Sequence, residues 1–195
     1  MSADRNTQVS TSKTARAKVW LLPEQVDRLR DAAQERSRPH LALRNEVLVT
    51  LLYDLGLRRD ELRQVDVSML DLEGDRPTIY LPGRIQKSYP HGGSPDGATL
   101  ELGKYGVEDS SRLLKTYLNA RWKDSEALLP SQRSDRMSGE QMANVTKKLA
   151  ANADVRPVRV DGSRGDPTDV APHATRNCVA YRMLHEHDAR IYDVR

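Results

Sequence analysis

An apolar stretch, LRNEVLVTLLYDLGL at residues 43–57, leads directly into a pair of arginines. Apolar side chains occupy nearly every position of EVLVTLLY, which is typical of a helix buried on all sides. Gly56 stands where a helix commonly ends in a left-handed residue. In the following RRDELRQV, Leu62 and Val65 point one way and the charges point out, so helical spacing resumes. Any fold of this chain must therefore bury the apolar helix and place the guanidinium groups of Arg58 and Arg59 directly after it.

The composition predicts one domain, or one domain with a tail, in a reducing compartment. The chain has 195 residues and one cysteine, Cys178, which excludes an internal disulfide and a cysteine-cluster metal site. No segment has the apolar length of a membrane-spanning helix or the pattern of a secretory signal, so we expect a cytoplasmic protein with no membrane partner. The net charge of +3 fits either a polyanionic partner or a genome that favours arginine codons.

The first half of the chain predicts a polar arm, helices and a small sheet. Residues 1–16 are polar and aperiodic, which is typical of a flexible arm. Pro23 begins a helical pattern in PEQVDRLRDAAQ, whose Val26, Leu29 and Ala32 share a face. After the apolar helix, the β-rich runs TIYLPGR and ATLEL are joined by a glycine- and proline-rich connection, and they predict a small antiparallel sheet.

Helices return in the second half of the chain. EDSSRLLKTYLNARW predicts a helix that Asp109 or Ser110 can cap, and Ser138 with Gln141 forms a capping box for another. The stretch RPVRVDGSRGDPTDV predicts a basic, irregular loop. A final helix begins at Pro172.

Two short boxes give this order of elements a likeness to a known family. GLRRDEL follows the apolar helix and PHATR opens the last helix, with a lone lysine in the sheet region between them. In this order they resemble the GLR-x-x-E-L and H-x-x-R boxes of the tyrosine recombinases, of the phage-integrase and Xer type. The resemblance runs from Lys18 to Arg195. It implies a mainly α catalytic domain with a small antiparallel β-sheet (α+β) over residues 17–195.

The resemblance also implies a site that transfers a phosphoryl group between a DNA sugar oxygen and a tyrosine. Arg58 and Arg176 would clamp the phosphate, because fixed guanidinium groups stabilise charge on its non-bridging oxygens without a metal or a cofactor. Glu61 would orient Arg58, since a buried arginine needs a carboxylate. His173, which shares a helical face with Arg176, would give acid–base help, and Lys87 would protonate the leaving sugar oxygen.

Four of these five residues also have an ordinary structural interpretation. The two arginines could be surface cations of helices, His173 a capping residue and Lys87 a plain hairpin lysine. Lys104 is the competing candidate for the role of the catalytic lysine. The helical tyrosines and Cys178 are interpreted as core or boundary residues. The histidines form no predicted metal set, since the two in HEH face apart on a helix.

The sequence departs from the family pattern at both ends. The family continues past the H-x-x-R helix to a further histidine or tryptophan and then to the nucleophilic tyrosine, which family spacing puts beyond Arg195. Tyr192 stands too early, so we expect no nucleophile in the chain. A shortened chain, a decayed integrase and a protomer that receives a tyrosine from another subunit all fit this pattern. Ahead of the catalytic domain, family members carry a helical core-binding domain, where this chain has only the arm.

Two functional hypotheses follow. In the first, the chain is the core of a DNA-binding site-specific recombinase or integrase that retains the phosphate-binding residues. Its partner is double-stranded DNA, and the full-length protein forms a homo-oligomer, a tetramer on DNA. In the second, the chain is a non-enzymatic DNA-binding regulator or a decayed integrase on the same fold. A helical regulator with helix-turn-helix packing is a third interpretation, and the β-rich runs argue against it.

Overall fold

A computed structural model describes residues 19–87, 95–104 and 109–185. These residues form six α-helices: α1 (Pro23–Arg36), α2 (Pro39–Asp54), α3 (Arg59–Leu62), α4 (Ser110–Ala120), α5 (Gly139–Asn152) and α6 (Pro172–His185). Their strands are β1 (Val19–Trp20), β2 (Leu70–Asp71), β3 (Thr78–Leu81), β4 (Ala98–Glu101) and β5 (Val158–Arg159). The predicted mainly α fold with a small antiparallel sheet is confirmed. In the described ranges, no helix combines the length and the apolar character needed to cross a membrane.

Helix α2 lies at the centre of the molecule and is buried on nearly all sides. Val47, Leu48, Leu51 and Leu52 are 0% exposed, and the helix packs against α1, α4 and α6. Removing an aliphatic side chain of this kind from water stabilises a fold by about 1.5–3 kcal/mol. The apolar stretch therefore forms the buried helix that its composition predicts.

Helix α1 begins at Pro23, as predicted, and buries its predicted apolar face against α2. Its first turn is fixed by Gln25. The side-chain oxygen of Gln25 accepts the Leu22 N–H at 3.0 Å, and its amide nitrogen donates to the Arg156 carbonyl at 2.6 Å. These two bonds tie the start of α1 to the segment that leads into β5.

Strands β2, β3 and β4 form the predicted small antiparallel sheet, with β3 in the centre. Ile79 lies in the core and its neighbour Tyr80 is 49% exposed, as the alternation of side chains along a strand requires. After β3 the chain turns through the 3₁₀ segment Gly83–Ile85 and reaches Lys87. Residues 88–94 of the glycine- and proline-rich connection lie outside the described ranges.

The predicted helix starts in the second half are present. Ser138 Oγ accepts the Gln141 N–H at 3.1 Å, and Gln141 Oε1 accepts the Ser138 N–H at 2.8 Å, so the capping box of α5 is closed on both sides. Helix α6 begins at Pro172. Helix α4 begins at Ser110, but the side chain of Asp109 before it makes no capping hydrogen bond.

Two reactive residue types are buried in the core, as predicted. The Tyr117 hydroxyl donates to the Leu128 carbonyl at 2.9 Å, and burial raises the pKa of Tyr117 to about 12. Cys178 is 0% exposed, and burial raises the pKa of its thiol to about 12 as well. Both side chains are therefore neutral packing residues near neutral pH.

The segment that follows α5, for which the sequence predicts an irregular loop, contains a strand. Its β5 pairs antiparallel with β1, with Val158 opposite Trp20. A strand of two residues gives no readable alternation and its partner is far away in sequence, so the pattern could not show it.

The helical spacing predicted after Gly56 is confirmed only as the single turn of α3. The chain leaves the helix because its backbone pairs with a distant segment. The Val65 carbonyl accepts the Leu128 N–H at 3.0 Å, and the Val67 N–H donates to the Glu126 carbonyl at 2.8 Å.

Some predictions fall on residues outside the described ranges and stay predictions. They concern the polar arm at residues 1–16, the histidines His91 and His187, and Tyr192.

The turn between α2 and α3 depends on Gly56, which adopts a φ of 60°. A Cβ atom at this position would lie 2.9 Å from Cγ2 of Val179 on α6. The missing side chain therefore lets α6 pack directly against the backbone of the turn.

We expect Gly56→Ala to lower the free energy of unfolding by about 2–4 kcal/mol, because left-handed strain adds to the overlap with Val179. Gly74→Ala is the matched control, since Gly74 has a φ of 77° and nothing within 4 Å of a built Cβ. The control should lose only about 1–2 kcal/mol from strain. Urea denaturation measures both, and equal losses would contradict the close packing of α6 on the turn.

Candidate active site

A cleft of about 900 Å³ opens between α3, α5, the start of α6 and the connection that follows β3. The five site residues proposed from the sequence all line this cleft: Arg58, Glu61, Lys87, His173 and Arg176. They come from three separate parts of the chain, so only the fold brings them together.

Arg58 is held by Glu61 at the start of α3. The guanidinium Nη1 of Arg58 donates to Glu61 Oε1 at 2.7 Å, and its backbone N–H donates to Glu61 Oε2 at 2.8 Å. The side chain of Glu61 is 7% exposed and that of Arg58 is 40% exposed. The carboxylate is thus a fixed acceptor beneath the cleft, and the guanidinium reaches the cleft surface. This is the contact expected of an orienting carboxylate.

Helix α6 places Arg176 beside the same turn. Its guanidinium Nη1 donates to the Gly56 carbonyl at 2.6 Å, so Arg176 is anchored two residues before Arg58. His173 lies one turn earlier on α6 and is exposed at the cleft. The first residues of α6 line the cleft as well, and a helix N-terminus carries a partial positive charge. An anion in the cleft would therefore lie near Arg176, His173 and the N-terminus of α6.

Lys87 reaches the cleft from the connection after β3. The preceding Gln86 pins this connection, since its amide nitrogen donates to the carbonyls of Leu81 and Asp96 at 2.9 Å each. Lys87 itself is exposed. Lys104, the competing lysine, follows β4 and is not among the described residues that line the cleft.

The cleft also contains residues that the sequence analysis did not single out: Gln64, Arg84, Asn144 and Lys147. Asn144 and Lys147 are three positions apart on α5 and therefore share a face. That spacing is readable from the sequence, but the sequence does not show that this face meets the cleft.

Arg59, which follows Arg58 directly, is also part of the cleft lining. Its side chain is 47% exposed and pairs with Asp60 at 3.4 Å. It also packs over α5, since a Cβ at Gly139 would lie 2.7 Å from Arg59 Nε. The second arginine of GLRRDEL therefore lines the cleft and rests on the first residue of α5.

The charges of the cleft favour an anionic ligand. Its described lining includes six cations, Arg58, Arg59, Arg84, Lys87, Lys147 and Arg176, against three carboxylates, Asp60, Glu61 and Glu140. Two of these carboxylates already pair with arginines of the cleft. In the part of the chain that the structure describes, no three His, Cys, Asp or Glu side chains come close enough to share a metal ion. The excess of positive charge would attract a phosphate group.

Comparison with known families gives a match to the phage integrase family over residues 19–192. The match spans most of the chain and includes every residue of the cleft. The chain belongs to this family. The matched range runs past the described residues and includes Tyr192.

Individual proteins agree with this membership. Over 164 residues, 83% of this chain and 45% of the relative, the chain is 27% identical to the tyrosine recombinase XerC of Erythrobacter litoralis (strain HTCC2594). The solved structure of the XerH site-specific recombinase bound to its difH substrate matches with a TM-score of 0.65 at 15% identity, over 93% of this chain and 47% of XerH. The Tn1549 transposon integrase in complex with circular intermediate DNA matches with a TM-score of 0.64 at 15% identity, over 93% of this chain and 58% of that chain. The chain therefore spans about half the length of these relatives, and the two structures show that it shares their fold.

We expect Glu61→Ala to destabilise the fold by about 1–3 kcal/mol, less than the loss for a fully buried ion pair because Arg58 is partly exposed. Asp60→Ala is the matched control, since the Asp60 side chain is 65% exposed in its pair with Arg59. The control should change stability by no more than about 0.5 kcal/mol. If chemical denaturation gave the same result for both variants, Glu61 would not be a structural support of Arg58.

Proposed function

We propose that the chain is the catalytic core of a DNA site-specific recombinase or integrase, and that its cleft holds the phosphodiester to be cut and rejoined. One observation carries this proposal. Arg58 and Arg176, from distant parts of the chain, each donate an anchoring hydrogen bond from the guanidinium group, and both line one electropositive cleft.

Two anchored guanidinium groups suit a phosphodiester. Each can donate two parallel hydrogen bonds to phosphate oxygens, and such charge-assisted bonds are stronger than neutral ones. During phosphoryl transfer, negative charge spreads over the non-bridging oxygens, so donors that are already in place lower the barrier. Anchoring an arginine before DNA binds also avoids up to about 2 kcal/mol of side-chain entropy loss.

The proposed reaction begins when a tyrosine hydroxyl attacks the phosphorus held by Arg58 and Arg176. A phosphotyrosyl bond forms, and the bond from phosphorus to the sugar oxygen breaks. Lys87 gives a proton to the leaving sugar oxygen, so the alcohol rather than the alkoxide departs. His173 accepts the proton that the tyrosine hydroxyl releases as its oxygen bonds to phosphorus, which is the role of a general base. Glu61 supports the reaction through Arg58.

The proposed partner is duplex DNA, since the XerH and Tn1549 structures that share this fold are complexes with DNA. We further propose that residues 17–195 form one catalytic-core domain behind a polar arm at residues 1–16. The full-length protein would act in the cytoplasm as a homo-oligomer, a tetramer on DNA.

We expect Arg58→Ala and Arg176→Ala each to weaken duplex binding by about ten-fold or more, because each removes charge-assisted hydrogen bonds to a phosphate. The slope of log affinity against log salt concentration should fall by about one for each variant. Arg112→Ala is the control, since its side chain on α4 is 83% exposed and does not line the cleft. Fluorescence anisotropy at several salt concentrations measures all three. Unchanged low-salt affinity in both cleft variants would contradict the proposal.

The alternative function is a non-enzymatic DNA-binding regulator on the same fold. A nicked suicide duplex can exclude the regulator, because it traps any phosphotyrosyl adduct for detection by denaturing electrophoresis. We expect the 195-residue chain to bind this duplex without forming an adduct, since family spacing offers it no nucleophile. An adduct that Tyr192→Phe abolishes would overturn that expectation, identify Tyr192 as the nucleophile and exclude the regulator.

A further inference from the structure

A second groove lies beside the cleft, between the end of α1, the start of α2, the loop ahead of α5 and α5 itself. It consists of two adjoining cavities of about 410 Å³ and 300 Å³. The two cavities share five lining residues, Leu41, Arg44, Gln132, Val145 and Lys148, and form one surface feature, called here the α2–α5 groove.

The rim of the α2–α5 groove is strongly cationic. Arg36, Arg38, Arg133 and Lys148 line it and are exposed, and its described lining contains no carboxylate. None of these four forms an ion pair with a carboxylate of the described residues. Exposed side chains of one sign that lack neutralising partners create a positive potential along the groove.

The floor of the groove carries a fifth cation, Arg44, which is only 4% exposed. Its hydrogen-bond acceptors are uncharged: the Pro130 carbonyl at 3.2 Å and Asn45 Oδ1 at 2.7 Å. Burial lowers the pKa of Arg44, because the charged guanidinium has lost water. An anion bound in the groove would stabilise this buried charge by Coulomb attraction.

Helix α5 joins the groove to the cleft. Asn144 lines both, and the two consecutive lysines of α5 divide between them, with Lys147 at the cleft and Lys148 at the groove. Duplex DNA carries one negative charge for about every 1.7 Å of its axis, so a duplex with one phosphate in the cleft has further phosphates close by. A small anion would need only one of the two sites. A polyanion can fill both.

We propose that the α2–α5 groove binds backbone phosphates of the DNA that flanks the phosphodiester in the cleft, chiefly through Arg133 and Lys148. This proposal rests on the proposed function of the cleft. Backbone phosphates fit better than an acidic protein segment, because the groove continues the surface that would already hold DNA. The bonds that phosphates make here would carry no base specificity, so the groove would set the path of the duplex rather than select its sequence.

The test uses two duplexes and two pairs of substitutions. One duplex spans about one helical turn, roughly 10 base pairs, and the other spans about three turns. The groove variant is Arg133→Ala with Lys148→Ala, both exposed. Its control is Arg76→Ala with Arg164→Ala, two exposed arginines that line neither the cleft nor the groove. Arg58→Ala is measured in parallel, and urea denaturation checks that every variant is fully folded under the conditions of the binding measurement.

We expect the groove variant to bind the long duplex about ten-fold more weakly, with a salt slope smaller by about two, because two phosphate contacts are lost. Its affinity for the short duplex should stay within about two-fold of the parent, whereas Arg58→Ala should weaken binding of both duplexes.

A groove variant that behaves like its control on the long duplex would overturn the groove proposal and leave the cleft proposal standing. If the groove variant lost equal affinity for both duplexes, the proposal that the groove binds flanking phosphates would be overturned. If Arg58→Ala affected neither duplex, the proposed function of the cleft would fail separately.

Discussion

The hydrogen bond from Arg176 to the Gly56 carbonyl, 2.6 Å long, joins the two parts of the chain that build the cleft. It anchors α6 to the turn that follows α2, and Arg58, two residues after Gly56, immediately precedes α3. The turn can approach α6 so closely because Gly56 has a φ of 60° and no side chain to meet Val179. The separation of the two arginines is thus set by backbone geometry and not by flexible side chains alone. Any change that moves α6 from the turn also moves Arg176 from Arg58.

A second arginine of α6 strengthens the same attachment. Arg182 Nη2 donates to the Tyr53 carbonyl at 2.7 Å, and its guanidinium lies 3.9 Å from the centre of the Tyr53 ring. Tyr53 belongs to the last turn of α2, the buried helix that packs against α1, α4 and α6. The cleft is therefore built on the most completely buried element of the fold. A rigid base of this kind suits a site whose proposed task is to hold fixed positive charges toward a phosphate, because donors that need no rearrangement stabilise a transition state best.

Much of this arrangement could be predicted from the sequence, and the parts that could not have physical reasons. Apolar residues at nearly every position predicted that α2 is buried, and Ser138 with Gln141 predicted where α5 begins, because both signals are local. The likeness of GLRRDEL and PHATR to family boxes led to the residues that the cleft brings together. Strand β5 was missed, since its two residues gain their structure from a distant partner. The place of Lys147 in the cleft and of Lys148 in the neighbouring groove was missed as well, because helical spacing shows which residues share a face but not what that face meets.

A crystal structure of the chain bound to a short duplex would test the central claim most directly. In that structure we expect one phosphodiester in the cleft with its non-bridging oxygens at hydrogen-bond distance, about 3 Å, from both Arg58 and Arg176. The anchoring bonds of Arg58 to Glu61 and of Arg176 to the Gly56 carbonyl should be retained in that complex. A duplex bound elsewhere on the protein, with no phosphate in contact with both arginines, would show that Arg58 and Arg176 do not share a phosphate.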